Sequence, residues 1–312
     1  MSAPTTTPPP AATRRSPTRR PAAGGPGGPV RGSRGSCWTS RGAVHGVLLL
    51  AALYSLLPLV WLLTSATKSV GDFSATSAFE LADFNLWGNL RDLFARENGV
   101  FSYWIRNSLL YAGLGAVLGA LICTACGYAI AKMDFPGRRA LFAVTLTGVL
   151  VPPTALALPL YLLASQLHLV NTFWAVFFPL LTNPFGVYLA RTFAEAAVPD
   201  EVLEAARLDG AGELRIFLTI ALPMMVPGFV TILLFQFVSI WNNFFLPLVM
   251  LTDPELFPMT LGIYQWNTRA PQFPDYNPLV ITGSLLAVVP LIAAFVLLQR
   301  QWRSGLTAGS VK

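Results

Sequence analysis

Inside the apolar stretch 226–250, Gln236, Ser239 and Asn243 fall at i, i+3 and i+7, with Asn242 beside them. On a helix that spacing gathers them on one face. Uncharged polar groups at membrane depth must meet protein or water rather than lipid. They therefore either hydrogen-bond between helices or line a polar pathway, with Trp241 or Phe244 able to offer a ring. Cys123 and Cys126 spell C-x-x-C, but inside an apolar run without a second pair or a nearby His, so they read as small buried residues rather than a metal or redox site. His45 and His168 lack an acidic neighbour in sequence, which argues against a proton relay. The chain contains no G-x-x-x-x-G-K-[ST], no H-E-x-x-H and no G-x-S-x-G. The expectation is no catalytic residue, no metal site and no cofactor on this chain.

A second group of residues lies in Val198–Pro223, which reads VPDEVLEAARLDGAGELRIFLTIALP. It predicts two short helices joined at a turn. Pro199 suits a first helical position, and Asp200 and Glu201 follow in the first turn, where the helix dipole favours acids. Val202, Ala205, Ala206 and Leu208 would form an apolar face. Asp209-Gly210 breaks the helix, Gly210 supplying a left-handed turn and Asp209 capping the second helix, which runs to Pro223. Ala205, Ala206, Gly210 and Gly212 would admit a close-approaching surface. An amphipathic helix lying on a membrane would satisfy the same pattern.

The elements that position these residues follow from the distribution of charge. The chain has 312 residues, 54% hydrophobic and 12% charged, about half the charge fraction of a soluble domain. Charge-free windows cover 42–67, 107–131, 140–190, 216–252 and 276–299. A spanning helix needs about 20 residues, so the windows predict six, at about 43–65, 108–131, 141–164, 172–191, 226–250 and 279–299. A polar break at Gln166–Asn171 separates the third from the fourth. With both termini inside, 16 of the 21 basic residues lie on the cytoplasmic side and five outside, as the positive-inside rule requires. The net charge of +6 is thus a topology signal and not a nucleic-acid footprint.

Residues 1–42, rich in Pro, Gly, Thr and Arg, predict a disordered cytoplasmic tail. The external segments 66–106 and 252–277 are long enough to dock something outside the membrane, and Tyr264 and Trp266 are candidate anchors there. Gly115, Gly119, Cys123 and Gly127 form a small-residue stripe for helix packing. Pro152-Pro153, Pro159, Pro179 and Pro184 interrupt the third and fourth spans.

The ordered pattern Glu204-Ala205-Ala206, three residues, Gly210, nine residues, Ile220-Ala221-Leu222-Pro223 matches position for position the EAA loop of binding-protein-dependent ABC transporter permeases. EAARLDGA resembles its version in the carbohydrate-uptake, maltose-permease (MalG-like) group. Trp241–Leu248 is similar to that group's W-N-x-F-x-x-P-L stretch, Asp253–Leu256 to its outer loop, and Leu298–Arg300 with Gly305–Lys312 to its C-terminus. The resemblance covers roughly residues 40–312.

It implies an all-α integral membrane permease domain over 43–312, in the bacterial cell membrane, with a cytoplasmic coupling helix in an EAA loop at about 199–223 between helices 4 and 5. Glu204, Ala205, Ala206, Asp209 and Gly210 would dock a dimeric ATP-binding subunit, which uses ATP and Mg. Further implied partners are a second, MalF-like permease subunit and an extracytoplasmic solute-binding protein. Sugar would then pass beside Gln236, Ser239, Trp241, Asn242 and Asn243. Many members carry Glu where this chain has Asn243, so no carboxylate role transfers. The competing reading, a self-contained ion-coupled secondary transporter, would place ionisable residues within the spans. None lies in a proposed span core.

Overall fold

The computed structural model describes residues 35–307, with side chains from 42 to 299 except that of Ser74. The tail predicted for 1–42 falls, through residue 34, outside the described residues. The chain divides into two units, 1–54 and 55–312. Helix α1 (Gly35–Ala66) supplies the described part of the first unit, and Val47–Leu50 there are exposed aliphatics.

The second unit contains α2 (Val70–Ala75), α3 (Leu86–Ala95), α4 (Val100–Leu109), α5 (Gly115–Lys132), α6 (Arg138–Leu150), α7 (Ala157–Gln166), α8 (Phe173–Leu180) and α9 (Pro184–Ala197). It continues with α10 (Asp200–Leu208), α11 (Glu213–Ile216), α12 (Leu222–Met224), α13 (Val226–Trp241), α14 (Phe245–Met250), α15 (Met259–Arg269) and α16 (Tyr276–Thr307). No strand occurs among the described residues. Among the described residues, four helical segments are long and apolar enough to span a membrane: Gly42–Ala66, Leu86–Lys132, Phe173–Ala197 and Tyr276–Gln299. A fifth is the pair Glu213–Met224 and Val226–Trp241, bent by 83°. Pro223 and Pro227 flank that bend, and neither offers an N–H to a continuous ladder.

The stretch predicted as one span over 141–164 is two helices, α6 and α7, divided at Val151–Leu156. Pro152-Pro153 removes two consecutive donors there and disfavours the helical conformation of the residue before it. At about 1.5 Å per residue, the 13 residues of α6 reach roughly 20 Å, short of the ~30 Å hydrocarbon core. The predicted break at 166–171 is present: α7 ends at Gln166, and His168 and Asn171 take positive φ.

The small-residue stripe on α5 is a packing seam. A Cβ at Gly127 would sit 2.5 Å from Ala190 Cβ and 2.6 Å from the Arg191 amide on α9. One at Gly115 would sit 2.9 Å from Ile240 on α13. Helix backbones approach this closely only where side chains are absent, and the gain is dispersion contact along the seam. Cys123 belongs to the same seam, its Sγ 3.4 Å from the Asn183 carbonyl, whereas Cys126 faces outward and is exposed. The two cysteines are therefore not both buried.

The segment 252–257, expected to be external, is tied to α4 and to the 166–171 break through side-chain hydrogen bonds. Trp104 Nε1 donates to Pro254 O at 2.8 Å, and Asn107 Nδ2 donates to Glu255 O and Phe257 O. Asn171 Oδ1 accepts from the amides of Thr252 and Asp253. Gly262 of α15 lies against the Trp104 ring, which in turn packs tilted against Trp266 and edge-on against Phe101. Trp266 is thus fully buried, and of the two candidate anchors only Tyr264 is exposed.

Candidate functional site

In the loop 199–224, the cap comes one residue later than expected. Pro199 is the N-cap of α10 in extended conformation, and Asp200 and Glu201 occupy its first turn. The inward face is Leu203 and Ala206, which join Tyr128, Ala194, Val198, Ile216, Ala221 and Met225 in one buried cluster. Leu208 is exposed instead, because a helical repeat of 3.6 turns it away from positions 203 and 206, and Val202, one turn before Ala206, lies at the edge of the buried face and is exposed as well. Glu204 and Ala205 are exposed with them.

The turn has a Schellman geometry. The Gly210 amide donates to Arg207 O and the Ala211 amide to Ala206 O, both at 3.0 Å, while Gly210 has φ +80°. That left-handed residue is what only glycine adopts at little cost. Asp209 is the C-cap of α10, and its predicted role as cap of the second helix does not occur: Gly212 occupies the N-cap of α11 and has no side chain to donate an acceptor. Arg207 closes the turn instead, with Nε and Nη2 on the two carboxylate oxygens of Glu213 at 2.7 and 3.3 Å. That hydrogen bonding raises the Arg207 pKa above its ordinary value. The second helix passes through a π turn at Phe217–Ala221 and continues past Pro223 to Met224.

The result is an ordered turn that exposes large aliphatic side chains among charged ones. Leu208 is 90% exposed and Leu214 72%. Gly210 and Gly212 have open space where a side chain would be.

The helix expected over 226–250 ends at Trp241 and resumes at Phe245, so Asn243 lies past the end of α13 and the expected polar face is not continuous; the polar residues of this stretch separate into two groups. Gln236 is buried, its Nε2 donating to Leu180 O at 2.6 Å and its Oε1 accepting from Asn183 Nδ2. Trp241 is buried as well, its Nε1 donating to Ala287 O at 3.0 Å. Both are spent on interhelical bonds. Ser239 and Asn242 are exposed, and Asn243 is half-buried, its carbonyl accepting from Thr260 Oγ1 at 3.0 Å. Next to them Phe244 meets Tyr264 edge to face at 4.7 Å across a cavity of about 350 Å³ that Thr260, Ile263, Ser284 and Ala287 complete.

Two long-range contacts around these residues carry no local signal in the sequence. Lys132 at the end of α5 pairs with Asp200 at 2.7 Å, and Asn183 caps α9 while donating to Gln236. Their partners lie 68 and 53 residues away, beyond any motif or periodicity. Among the described residues no cluster of three or more His, Cys, Asp or Glu could hold a metal ion.

Residues 107–303 match the family described as binding-protein-dependent transport system inner membrane component. The arabinooligosaccharides transport system permease protein AraQ of Halalkalibacterium halodurans is 36% identical over 69% of this chain and 76% of its own length. The lactose transport system permease protein LacG of Rhizobium radiobacter is 30% identical over 86% and 95%, respectively. The diacetylchitobiose uptake system permease protein NgcG of Streptomyces coelicolor is 28% identical over 86% and 88%. Among solved structures, a bacterial ABC transporter involved in import of the acidic polysaccharide alginate superposes with a TM-score of 0.73 at 21% identity, over 88% of this chain and 99% of that one.

Proposed function

The chain belongs to the family of binding-protein-dependent transport system inner membrane components, a multi-pass permease of the cell membrane, and from that premise we propose that it imports a sugar or oligosaccharide by coupling to a partner ATPase. The observation that carries the coupling is the ordered loop 199–224, fixed by its Schellman turn and the Arg207–Glu213 pair, yet presenting Leu208 and Leu214 to solvent. Apolar side chains held that rigidly at a surface favour a partner that covers them. Glu204, Ala205, Asp209 and Gly210 lie on or beside that surface, with Ala206 packing beneath, and together they form the docking element for the ATP-binding subunit dimer. The chain has no phosphate loop of its own, so ATP and Mg belong to that partner.

Six spans with both termini cytoplasmic place the loop on the ATPase side, the third span being the broken pair α6–α7. Closure of the ATPase dimer displaces α10, and the 83° bend at Met225 redirects that displacement into α13. The pathway surface at the end of α13 is Ser239 with Asn242 and Asn243 just past it and the Phe244–Tyr264 cavity, while Gln236 and Trp241 hold the helix in place. The carbohydrate reading draws on the sugar-transport names of the relatives. A second permease subunit completes the channel, and a solute-binding protein delivers substrate to the external face built on 252–277. Substituting Glu204→Lys should block capture of the ATPase subunit in detergent pull-down without changing the helical content of the chain. Normal capture and normal ATP-driven uptake by that variant would refute the docking role.

A further inference from the structure

We infer that Lys132 and Asp200 form the electrostatic latch through which the loop moves the membrane core, which makes Lys132 a positioning residue for coupling; this rests on the docking role proposed above. Lys132 is the last residue of α5 and Asp200 the first of α10, with Nζ and Oδ1 2.7 Å apart. The Lys132 side chain is only 8% exposed, whereas that of Asp200 is 73% exposed. An ammonium so enclosed needs a counter-ion, because its desolvation is otherwise uncompensated. Each charge also sits at the helix end whose partial charge favours it, a cation at a C-terminus and an anion at an N-terminus. The pair therefore joins the two helix ends.

Among the described residues this is the one salt bridge between the loop and the spans: Arg207–Glu213 closes within the loop, and the other four lie elsewhere. What it grips is the helix with least slack. Gly127, five residues before Lys132, is in backbone contact with α9, and Gly119 lies against Gln236 of α13. A pull on Lys132 is thus passed to α9 and to the helix that carries Ser239 and is capped by Asn242. Apart from its chain links to α9 and α11, α10 is attached by the apolar contact of Leu203 and Ala206, which resists separation but can slide. The ion pair fixes the register.

The test uses the complete transporter, with its second permease, ATPase subunit and binding protein, in proteoliposomes. Wild type, Lys132→Arg, Lys132→Met, Asp200→Asn and the Met/Asn double variant are compared. Three quantities are read with MgATP as probe: retention of the ATPase subunit, basal hydrolysis, and stimulation of hydrolysis by solute-loaded binding protein. The latch predicts retained ATPase and basal hydrolysis throughout, with stimulation falling on the order of fivefold in Lys132→Met and in Asp200→Asn, as expected for a pair with one solvated partner. Lys132→Arg should keep it, and the double variant should be no worse than either single. Unchanged stimulation in the singles, or additive losses in the double, overturns the latch while leaving docking intact. Failure of wild type itself to retain the ATPase would instead refute docking, and the latch with it.

Discussion

Replacing Gly127 by Ala should loosen the seam that holds α5 against α9, and the size of the effect follows from three distances. The new Cβ would lie 2.5 Å from Ala190 Cβ, 2.6 Å from Arg191 N and 2.8 Å from Ala190 C. Carbon atoms in good contact sit about 3.5–4.0 Å apart, so the helices must part by roughly 1 Å. Two of the three obstructing atoms are backbone, which no rotamer change moves aside. A separation of that size forfeits a quarter to a half of each dispersion well along the seam, placing the cost at the upper end of the range for overpacking, about 3 kcal/mol. Gly113→Ala is the control, because nothing lies within 4 Å of its added Cβ. Both substitutions gain the same helix propensity, about 1 kcal/mol, so their difference isolates the clash. Unfolding in mixed micelles with rising dodecyl sulfate, followed by circular dichroism, should separate the two by about 3 kcal/mol. Coincident midpoints would show that α5 and α9 are not in backbone contact and would remove the stiffness on which transmission through α5 depends.

Gly210→Ala forces a Cβ into the left-handed region at φ +80° and should cost about 1–2 kcal/mol of local order, seen as faster proteolysis of the loop, with Gly210→Asn milder. Leu208→Asp and Leu214→Asp should abolish ATPase capture yet leave thermal unfolding within about 0.5 kcal/mol of wild type, since neither side chain is packed in the chain itself. Gln236→Ala leaves Leu180 O and Asn183 Nδ2 without their partner and should cost about 1–3 kcal/mol, whereas Asn242→Ala should change uptake with stability intact. A stability loss for Asn242→Ala equal to that for Gln236→Ala would place Asn242 in packing rather than on the pathway.

How much of this was legible in the sequence depended on whether its cause was local. The turn at Gly210, the acidic first turn of α10 and the polar break at 166–171 depend on neighbours in the chain, and all three were readable. The apolar face of α10 was misassigned because hydrophobicity marks which residues avoid water, not which of two apolar surfaces is covered. Val202 and Leu208 are as apolar as Leu203, yet only Leu203 meets the core. Asp209 was expected to cap the second helix, a task its type suits, but Arg207 and Glu213 close that turn from farther away. The proline pair at 152–153 announced a disturbance, though a complete break over Val151–Leu156 needed the chain to be seen in three dimensions. Gln236 and Ser239 have the same depth and similar polarity, and only the positions of Leu180 and Asn183 separate a structural amide from an exposed hydroxyl.

The central claim is that this chain moves substrate only when a separate ATPase acts on loop 199–224. The direct test is solute uptake by sealed vesicles containing the chain with its second permease subunit, with the ATPase subunit, binding protein and ATP each present or omitted, and with imposed proton or sodium gradients as the alternative drive. The account predicts uptake only with all components and ATP, lost on Glu204→Lys. Uptake driven by an ion gradient without the ATPase subunit would contradict it.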